Sequence, residues 1–325
     1  MALLEVENLA VRLQTARGPA TAVHDVSFVL ERGDTLGVIG ESGCGKSITA
    51  LALIGLLPEN AAVSGRVGFD GRDLLATPED ALCRIRGNRI AMIFQEPMSA
   101  LNPLHSIGRQ VAEPLLLHRG LTAAAARAEA LRLLDRVGLP DAAGRLDAYP
   151  HQLSGGQRQR VSIAMALACN PDILIADEPT TALDVTVQGQ ILDLIAELIA
   201  DSGMALILIS HDLGVIAENV ARMLVMYGGS VVESGPTEAV FRRLAHPYSQ
   251  GLFAARPKLG AVRGTRLDTI PGLVPELVDL PPGCPFADRC RLVVEACRRA
   301  PPPPLPVGPD HFARCIRLDA ALATR

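Results

Sequence analysis

The chain has 325 residues, 49% of them hydrophobic and 3% aromatic, and a formal net charge of −4. This length allows one large domain or two ordinary ones, and the acidic balance argues against general nucleic-acid binding, which needs a basic surface. No apolar run reaches the length of a membrane span, and the acidic start of the chain, with Glu5 and Glu7, lacks the pattern of a secretory signal. We therefore expect a cytosolic protein that reaches a membrane only through partners.

The first third of the chain alternates short apolar strands with glycine turns. TLGVIG (35–40) predicts a strand, GESGCGKS (40–47) a loop, and SITALALIGLL (47–57) a helix. The Asp-Gly pair at 70–71 stands between short strand-like runs and predicts a hairpin. RIAMIF (89–94) predicts a further strand.

The following part is first helical and then alternates strands with helices. The pattern changes from about Ser99 to Tyr149, where TAAAARAEALRLLDRVGL (122–139) predicts a helix, and LSGGQ (153–157) opens another helix. ILIAD (173–177) and ALILIS (205–210) predict buried strands with a helical stretch between them, which is the alternation of a parallel α/β sheet. RMLVMYGGSVVESG (222–235) predicts a hairpin.

The stretch GESGCGKS has the spacing of a phosphate-binding loop, in the strand–loop–helix setting that such a loop requires. Gly43 and Gly45 let backbone N–H groups face phosphates, Lys46 reaches the β and γ phosphates, and Ser47 ligates Mg²⁺. LSGGQ is a second glycine turn before a helix, whose N-terminal dipole favours a phosphate. The candidate phosphate-binding residues, which the resemblance given below assigns to ATP, are Gly40, Glu41, Ser42, Gly43, Cys44, Gly45, Lys46, Ser47 and Ile48, together with Ser154, Gly155, Gly156 and Gln157.

Three predicted strands end in polar side chains: Gln95, the pair Asp177-Glu178, and His211. In an α/β sheet, ligands and Mg²⁺ bind at the carboxyl ends of the strands. Asp177 is the candidate Mg²⁺ ligand, with Ser47 and Gln95, and Glu178 is the candidate general base. With Gln95 and His211, Glu178 forms a constellation around the phosphate-binding loop, and the family resemblance given below implies that these three residues are the catalytic set.

The sequence is identified by these motifs as resembling the ATP-binding subunits of ABC transporters, over residues 1 to about 250. GESGCGKS resembles the Walker A loop, LSGGQ the family signature, ILIADE the Walker B strand and TALD (181–184) the D-loop, while Gln95 and His211 match the Q-loop and the switch histidine. The resemblance implies two nucleotide domains paired head to tail, so that the two glycine nests of one chain serve two different ATP molecules. It also implies an α/β fold: a P-loop NTPase (RecA-like) core, an antiparallel β subdomain and a helical signature subdomain at about 99–160.

Two features depart from the family pattern. An upstream aromatic residue usually stacks on adenine, but here no aromatic precedes Phe28, and Leu13 stands at the matching place. Cys44 lies where serine is common, and we predict that the helix N-terminus lowers the pKa of its thiol, so that alkylation blocks ATP binding.

The last 75 residues form a small proline-rich extension (251–325) with four cysteines, Cys284, Cys290, Cys297 and Cys315. In a reducing compartment such a cluster indicates a metal site before a disulfide pair, and its spacing leaves zinc and iron–sulfur open. FQEPMSALNP (94–103) and AHPYSQGLFAARP (245–257) resemble the dipeptide and oligopeptide importer ATPases, as does the tail. That resemblance favours a [4Fe–4S] cluster, with zinc as the alternative.

The resemblance implies a subunit that hydrolyses ATP to drive import of dipeptides or oligopeptides, with nickel or another small solute as the alternative cargo. It implies two transmembrane permeases, a second and related ABC ATPase, and indirectly an extracytoplasmic peptide-binding protein, at the cytoplasmic face of the bacterial inner membrane. Two alternative hypotheses come from other functional classes: a soluble ABC ATPase acting on DNA or ribosomes, and a redox-sensing regulator. The first would carry a long coiled-coil insertion or two nucleotide domains in one chain, and this sequence has neither.

Overall fold

The computed structural model describes residues 2–95, 100–181, 183–255 and 269–323. Contacts divide the chain into two compact units. The first unit comprises Met1–Ala2, Leu30–Thr35 and Ala76–Ile209, and the second comprises Leu3–Val29, Leu36–Leu75 and Ser210–Arg325. None of the described helices has both the length and the apolar character that crossing a membrane requires.

The described strands, in chain order, are β1 (Leu4–Thr15), β2 (Gly18–Leu30), β3 (Thr35–Ile39), β4 (Ala61–Phe69), β5 (Arg72–Asp73), β6 (Ile90–Ile93), β7 (Ile173–Asp177), β8 (Ala205–Ser210), β9 (Arg222–Tyr227), β10 (Ser230–Pro236), β11 (Leu305–Gly308) and β12 (His311–Ala313). The described α-helices are α1 (Lys46–Leu53), α2 (Glu79–Cys83), α3 (Ile107–Arg119), α4 (Ala123–Arg136), α5 (Ala142–Arg145), α6 (Gly155–Leu167), α7 (Val185–Ser202), α8 (Leu213–Asn219), α9 (Thr237–Arg242), α10 (Pro247–Ala254) and α11 (Leu318–Ala323). Single 3₁₀ turns occupy Pro150–Gln152, Leu277–Asp279, Ala287–Arg289 and Glu295–Arg298.

The first unit contains parallel strands in the order β8-β7-β6. Ile173 of β7 is opposite Ile90 on one side and Ala205 on the other. Every residue of β7 and β8 is buried, because parallel strands are covered on both faces. The bounds of both strands agree with the sequence prediction.

The helices α3, α4 and α6 of the first unit pack against one another, which confirms the predicted helical stretch. Helix α4 begins at the cap Thr122, whose hydroxyl oxygen accepts a hydrogen bond from Ala125 N–H at 3.3 Å. Its small and aliphatic residues Ala126, Ala130 and Leu133 are buried on one face, at the three- and four-residue spacing of a helix.

The second unit contains an antiparallel sheet in the order β2-β1-β4-β5. Its β4–β5 hairpin turns at Asp70 and Gly71, with positive φ angles of 49° and 80°, as the Asp-Gly pair predicted. Helix α1 ends at Leu53 rather than near residue 57. Gly55 adopts a positive φ of 64° there and ends the helix in the manner typical of glycine.

The second unit also contains the strand order β11-β12-β10-β9-β3. The β9–β10 hairpin was predicted, whereas β11 and β12 were not. Strand β12 pairs with β10 through Glu233↔Ala313 and Ser234↔Phe312, so the proline-rich tail adds strands to this sheet. Segments of three or four residues are too short to show an alternating pattern, so neither strand could be predicted from the sequence.

The predicted fold class is therefore confirmed: an α/β core, an antiparallel sheet and a helical segment. The expected separation at residue 250 stays a prediction, since contacts group residues 210–323 with the N-terminal strands.

Candidate functional site

The glycine-rich loop at residues 40–47 follows β3 and opens α1, as predicted. A side chain at position 40 would collide with the carbonyl oxygen of Met226, and one at position 45 with that of Ala22. Gly45 also has a positive φ of 98°, a conformation that residues with side chains rarely adopt. Close packing and backbone geometry therefore demand glycine at two positions of the loop.

Lys46 is the first residue of α1, and only 5% of its surface is exposed. Its ammonium group donates hydrogen bonds to the carbonyl oxygens of Gly40 at 2.8 Å and Glu41 at 3.1 Å. An anion on the loop would give this ammonium a stronger, charge-assisted acceptor than a neutral carbonyl. Ser47 and Ile48 follow in the first turn of the helix and are half-buried.

Glu41 is held at both its backbone and its side chain. Its N–H donates to the Tyr248 hydroxyl at 2.8 Å. Its carboxylate accepts two hydrogen bonds from the Arg289 guanidinium, at 2.7 and 3.1 Å, and Arg289 also donates to the Tyr227 hydroxyl at 3.3 Å. Neither anchor could be predicted from the sequence, because residues more than 200 positions apart leave no local signal.

The triplet His246-Pro247-Tyr248 starts α10. His246 Nδ1 accepts a hydrogen bond from Tyr248 N–H at 3.1 Å, and proline is well suited to the first helical turn, where its missing N–H is not needed. The carboxylate of Glu233 accepts the N–H groups of Ala245 and His246 at 2.7 and 2.9 Å. These contacts fix the position from which Tyr248 reaches the loop.

Cys44 corrects one expectation. Its side chain is 1% exposed, and burial raises the pKa of its thiol, although Lys46 and backbone N–H groups oppose the shift. The prediction of a lowered thiol pKa was wrong, because desolvation of the thiolate outweighs the favourable field at the helix N-terminus.

Asp177 and Glu178 lie at the carboxyl end of β7, where Asp177 is buried. Glu178 has a positive φ of 47°, which is uncommon for residues other than glycine and is often found at functional sites. Its Oε2 accepts hydrogen bonds from Gln95 Nε2 at 3.2 Å and from Thr181 Oγ1 at 2.9 Å. The structure thus brings Gln95 and Glu178 together in the first unit and adds Thr181, the first residue of the TALD stretch, for which the sequence predicted no role of its own.

The signature residues begin α6. Ser154 is the N-cap, and its hydroxyl accepts Gln157 N–H at 3.4 Å while Gln157 Oε1 accepts Ser154 N–H at 3.0 Å. This reciprocal capping box explains the serine and the glutamine. A side chain at Gly156 would lie 2.7 Å from Val187 of α7, whereas one at Gly155 would meet only Leu183, at 3.4 Å. Gly156 is therefore required by packing and Gly155 is not.

The remaining predicted residues are placed as follows. His211 follows β8 directly and is exposed, and Ser42 and Gly43 are exposed in the glycine loop. The stretches FQEPMSALNP, TALD and AHPYSQGLFAARP each extend beyond the described residues, at 96–99, 182 and 256–257. The catalytic and metal-binding roles assigned to the site residues stay predictions.

The four tail cysteines are free thiols, and the other three lie close enough to Cys284 to act on its thiol electrostatically. Cys284 N–H donates to the Cys297 carbonyl at 2.7 Å, and Arg317 N–H donates to the Cys315 thiol at 3.4 Å. Burial, with a further contribution from the other three thiols, raises the pKa of Cys284 to about 12. Burial also raises the pKa of Cys290 and of Cys315. Within the described part of the chain, no three cysteine, histidine or acidic side chains stand in position to hold a metal ion.

The loop between β3 and α1 gives the second unit the strand–loop–helix arrangement of P-loop nucleotide-binding proteins. Comparison of the sequence with models of known families shows which P-loop family the chain belongs to. Residues 23–181 match the ABC transporter family model, and residues 232–297 match the C-terminal region of oligopeptide/dipeptide transporters.

Individual relatives agree. The chain is 51% identical to the oligopeptide transport ATP-binding protein OppD of Salmonella typhimurium, covering 92% of this chain and 89% of that protein. It is also 51% identical to OppD of Haemophilus influenzae, covering 92% of both chains. A solved dimeric ATP-binding cassette, in a post-hydrolysis state with ADP and Pi, matches 72% of this chain and 98% of its own with a TM-score of 0.65 and 29% identity. The chain belongs to the family of ABC transporter ATP-binding proteins, in its oligopeptide and dipeptide transporter group, and it is an ABC-type ATPase.

Proposed function

We propose that this chain hydrolyses ATP to power the import of dipeptides or oligopeptides through a membrane transporter. The observation that carries the proposal is the arrangement of Glu178 in a chain of this family. Its strained backbone directs the carboxylate to the side chains of Gln95 and Thr181, directly after the buried Asp177. The names of the peptide-transport relatives support the cargo.

In this proposal the glycine loop binds the phosphates of ATP. Lys46 exchanges its carbonyl partners for phosphate oxygens, which are stronger acceptors for an ammonium group. Ser47, Gln95 and Asp177 are the proposed ligands of Mg²⁺, which when bound neutralises charge that develops on the transferred phosphoryl group. Oxygen ligands of this kind suit Mg²⁺.

Glu178 is the proposed general base, which orients the attacking water and accepts its proton. The two hydrogen bonds from Gln95 and Thr181 go to the same oxygen, Oε2, and so fix the rotation of the carboxylate. His211 is the proposed second polar group, acting on the γ-phosphate. A positioned base of this kind contributes about 10²–10⁴-fold to turnover.

The signature at 154–157 is proposed to serve an ATP molecule bound by a partner domain. Ser154 and Gly155 are exposed at the start of α6, and the described first turn of that helix carries no acidic residue that would repel phosphate. The dimeric state of the related cassette supports such pairing. The proposed partners are a related ABC ATPase, two permease subunits and, indirectly, a peptide-binding protein, at the cytoplasmic face of the bacterial inner membrane.

Replacement of the native gene copy by the variant Glu178→Gln tests the function. We expect loss of growth on dipeptides or longer peptides as the limiting nutrient, since the amide preserves shape but cannot accept a proton. The purified variant should still bind ATP. Intact peptide use with failing nickel uptake would overturn the cargo assignment, and near-normal ATPase activity would remove Glu178 from its role.

We also propose that Cys284, Cys290, Cys297 and Cys315 hold a [4Fe–4S] cluster. Four neighbouring thiols, three of them buried, and an N–H directed at Cys315 suit thiolates bound to a cluster. Anaerobically purified protein should be brown and lose its colour on Cys290→Ala, while Cys83→Ala, at an exposed cysteine, should keep it. Stoichiometric zinc without acid-labile sulfide would reject the cluster.

A further inference from the structure

A groove of about 540 Å³ begins at the glycine loop and lies wholly within the second unit. This volume is in the range of small-molecule sites. One wall belongs to the β1–β2 turn and the other to a segment near the C-terminus. The groove is lined by Thr15, Ala16, Arg17, Ala20, Ser42, Gly43, Val274, Pro275, Glu276, Leu277 and Val278.

The C-terminal wall is fixed at both of its ends, and we call residues 271–280 the strap. At one end the Pro271 carbonyl accepts a hydrogen bond from Arg289 Nε at 2.9 Å. At the other end, Leu280 packs against Gly228: a Cβ atom at position 228 would lie 2.9 Å from the Leu280 side chain. The strap is thus held by Arg289, which also binds Glu41 of the glycine loop, and by the β9–β10 hairpin, which also contacts that loop through Gly229 and Cys44.

Arg17 fastens the middle of the strap. Its Nη1 donates to Glu276 at 2.7 Å and to Asp279 at 2.8 Å, and its Nη2 donates to the second oxygen of Asp279 at 2.8 Å. The guanidinium fork therefore engages two carboxylates in one geometry, which a lysine could not reproduce. Exposed ion pairs add little to global stability, so this contact positions the strap rather than holding the fold together.

The chemistry of the groove suits a flat, weakly polar ring. Its walls carry aliphatic side chains, among them Val274, Pro275 and Leu277, and it opens at Ser42 and Gly43, where the phosphates of a nucleotide would start. Thr15 Oγ1 already donates to Gly18 O at 2.7 Å, so the hydroxyl serves the turn. A base held between aliphatic walls needs both walls in place.

We infer that the groove is the base site of the nucleotide, that the strap forms one of its walls, and that Arg17 is a positioning residue for that wall. The inference rests on the proposed ATP binding and deepens it: the C-terminal region that marks the transporter group contributes directly to holding a purine. None of the described residues that line the groove is aromatic, so the base would be held by aliphatic contact on two sides.

The first test separates base binding from phosphate binding in the full-length protein. We compare the affinities of ATP and of inorganic tripolyphosphate, which has no base, for wild type, Arg17→Ala and the double variant Glu276→Ala/Asp279→Ala. Both variants should bind ATP about fivefold more weakly, a loss at the lower end of what aromatic stacking on one base contributes. Both should bind tripolyphosphate as wild type does. Arg17→Lys should give an intermediate loss of ATP affinity.

The double variant excludes a simpler role for Arg17. If that cation contacted ATP directly, removing its two carboxylate partners would strengthen ATP binding rather than weaken it. Equal loss of ATP and tripolyphosphate affinity in Arg17→Ala, or no loss of either, would overturn the inference and leave the proposed function standing. A wild-type protein that binds neither ligand would instead refute the proposed function.

A second test needs no loss of function. The chain contains no tryptophan, so Leu277→Trp places a single indole in the groove. ATP should change its fluorescence and bind more tightly than to wild type, because aromatic stacking on a base is favourable, while tripolyphosphate should leave the emission unchanged. Leu273→Trp is the matched control, since Leu273 is 90% exposed and does not line the groove. An identical response of both variants, or no response of Leu277→Trp to ATP, would contradict the base site.

Discussion

Arg289 and Glu41 form a two-pronged ion pair between the C-terminal region and the second residue of the phosphate loop. The guanidinium meets both carboxylate oxygens, at 2.7 and 3.1 Å, and its side chain is 5% exposed. Arg289 also lies within 6 Å of the ring centres of Tyr227 and Phe286. The residue directly before Cys290 therefore helps to set the backbone that would cradle phosphates.

Arg289→Met should lower the free energy of unfolding by about 1–3 kcal/mol, because it leaves the half-buried Glu41 carboxylate without its cation. ATP affinity should fall as well, since the loop loses one anchor. Urea unfolding and nucleotide titration measure the two effects. Adding Glu41→Gln to this variant should restore part of the stability, because no unpaired charge then remains.

The exposed pair Arg242–Glu238 provides the control for this prediction. Both of its side chains are 77% exposed, so Arg242→Ala should change stability by less than about 1 kcal/mol. Equal losses of stability in Arg242→Ala and Arg289→Met would show that the burial of the Arg289–Glu41 pair has no energetic consequence.

The two signature glycines should respond differently to alanine. Gly156→Ala forces a methyl group to 2.7 Å from Val187, and we expect a loss of about 1–3 kcal/mol from overpacking. Gly155→Ala makes an ordinary contact with Leu183, so stability should be kept while ATPase activity of the assembled transporter falls if the partner's phosphate approaches this nest. Thermal unfolding and ATPase assays on both variants separate the effect on stability from the effect on activity. Equal destabilisation by the two substitutions would contradict the packing argument.

His246 should make the protein less stable in mild acid. Burial lowers its pKa to about 4, so between this value and its ordinary pKa of about 6.5 the unfolded chain binds a proton that the folded chain does not. The stability is complete above pH 6.5 and is lost as the pH falls, by about 2 kcal/mol at pH 5. His246→Asn keeps a helix-capping acceptor but does not titrate. Urea midpoints from pH 7 to 5 should fall less steeply for this variant, and parallel slopes would assign the acid sensitivity to other groups.

Alkylation should spare Cys44 in the folded protein. The thiolate is the reactive form, and Cys44 is buried with a raised pKa, whereas Cys83 is exposed. Brief treatment with iodoacetamide followed by peptide mass spectrometry should find Cys83 modified first. Cys83→Ser should remove this fast reaction without exposing Cys44. Modification of Cys44 at the rate of Cys83 would reinstate the reactive-thiol hypothesis.

The sequence predicted those parts of the fold whose signal is local. Strands β7 and β8, the Asp70-Gly71 turn and the start of α6 agree with it, because each depends on neighbouring residues. Strand β1 was not recognised, since its register shifts between Glu7 and Ala10 and Asn8 has a positive φ of 49°, which interrupts the alternation.

By itself, the sequence determined that this is an ABC-type ATPase, because the phosphate loop, the carboxylate pair and the capped signature are short motifs in which backbone geometry dictates residue type. Only the tertiary structure decided what supports them. The anchors Arg289 and Tyr248, the strap fastened by Arg17, and the strands added by the tail all join residues far apart in the chain. Such contacts depend on how distant segments of the chain pack together. The burial that shifts the pKa values of Cys44 and His246 likewise exists only in the folded protein.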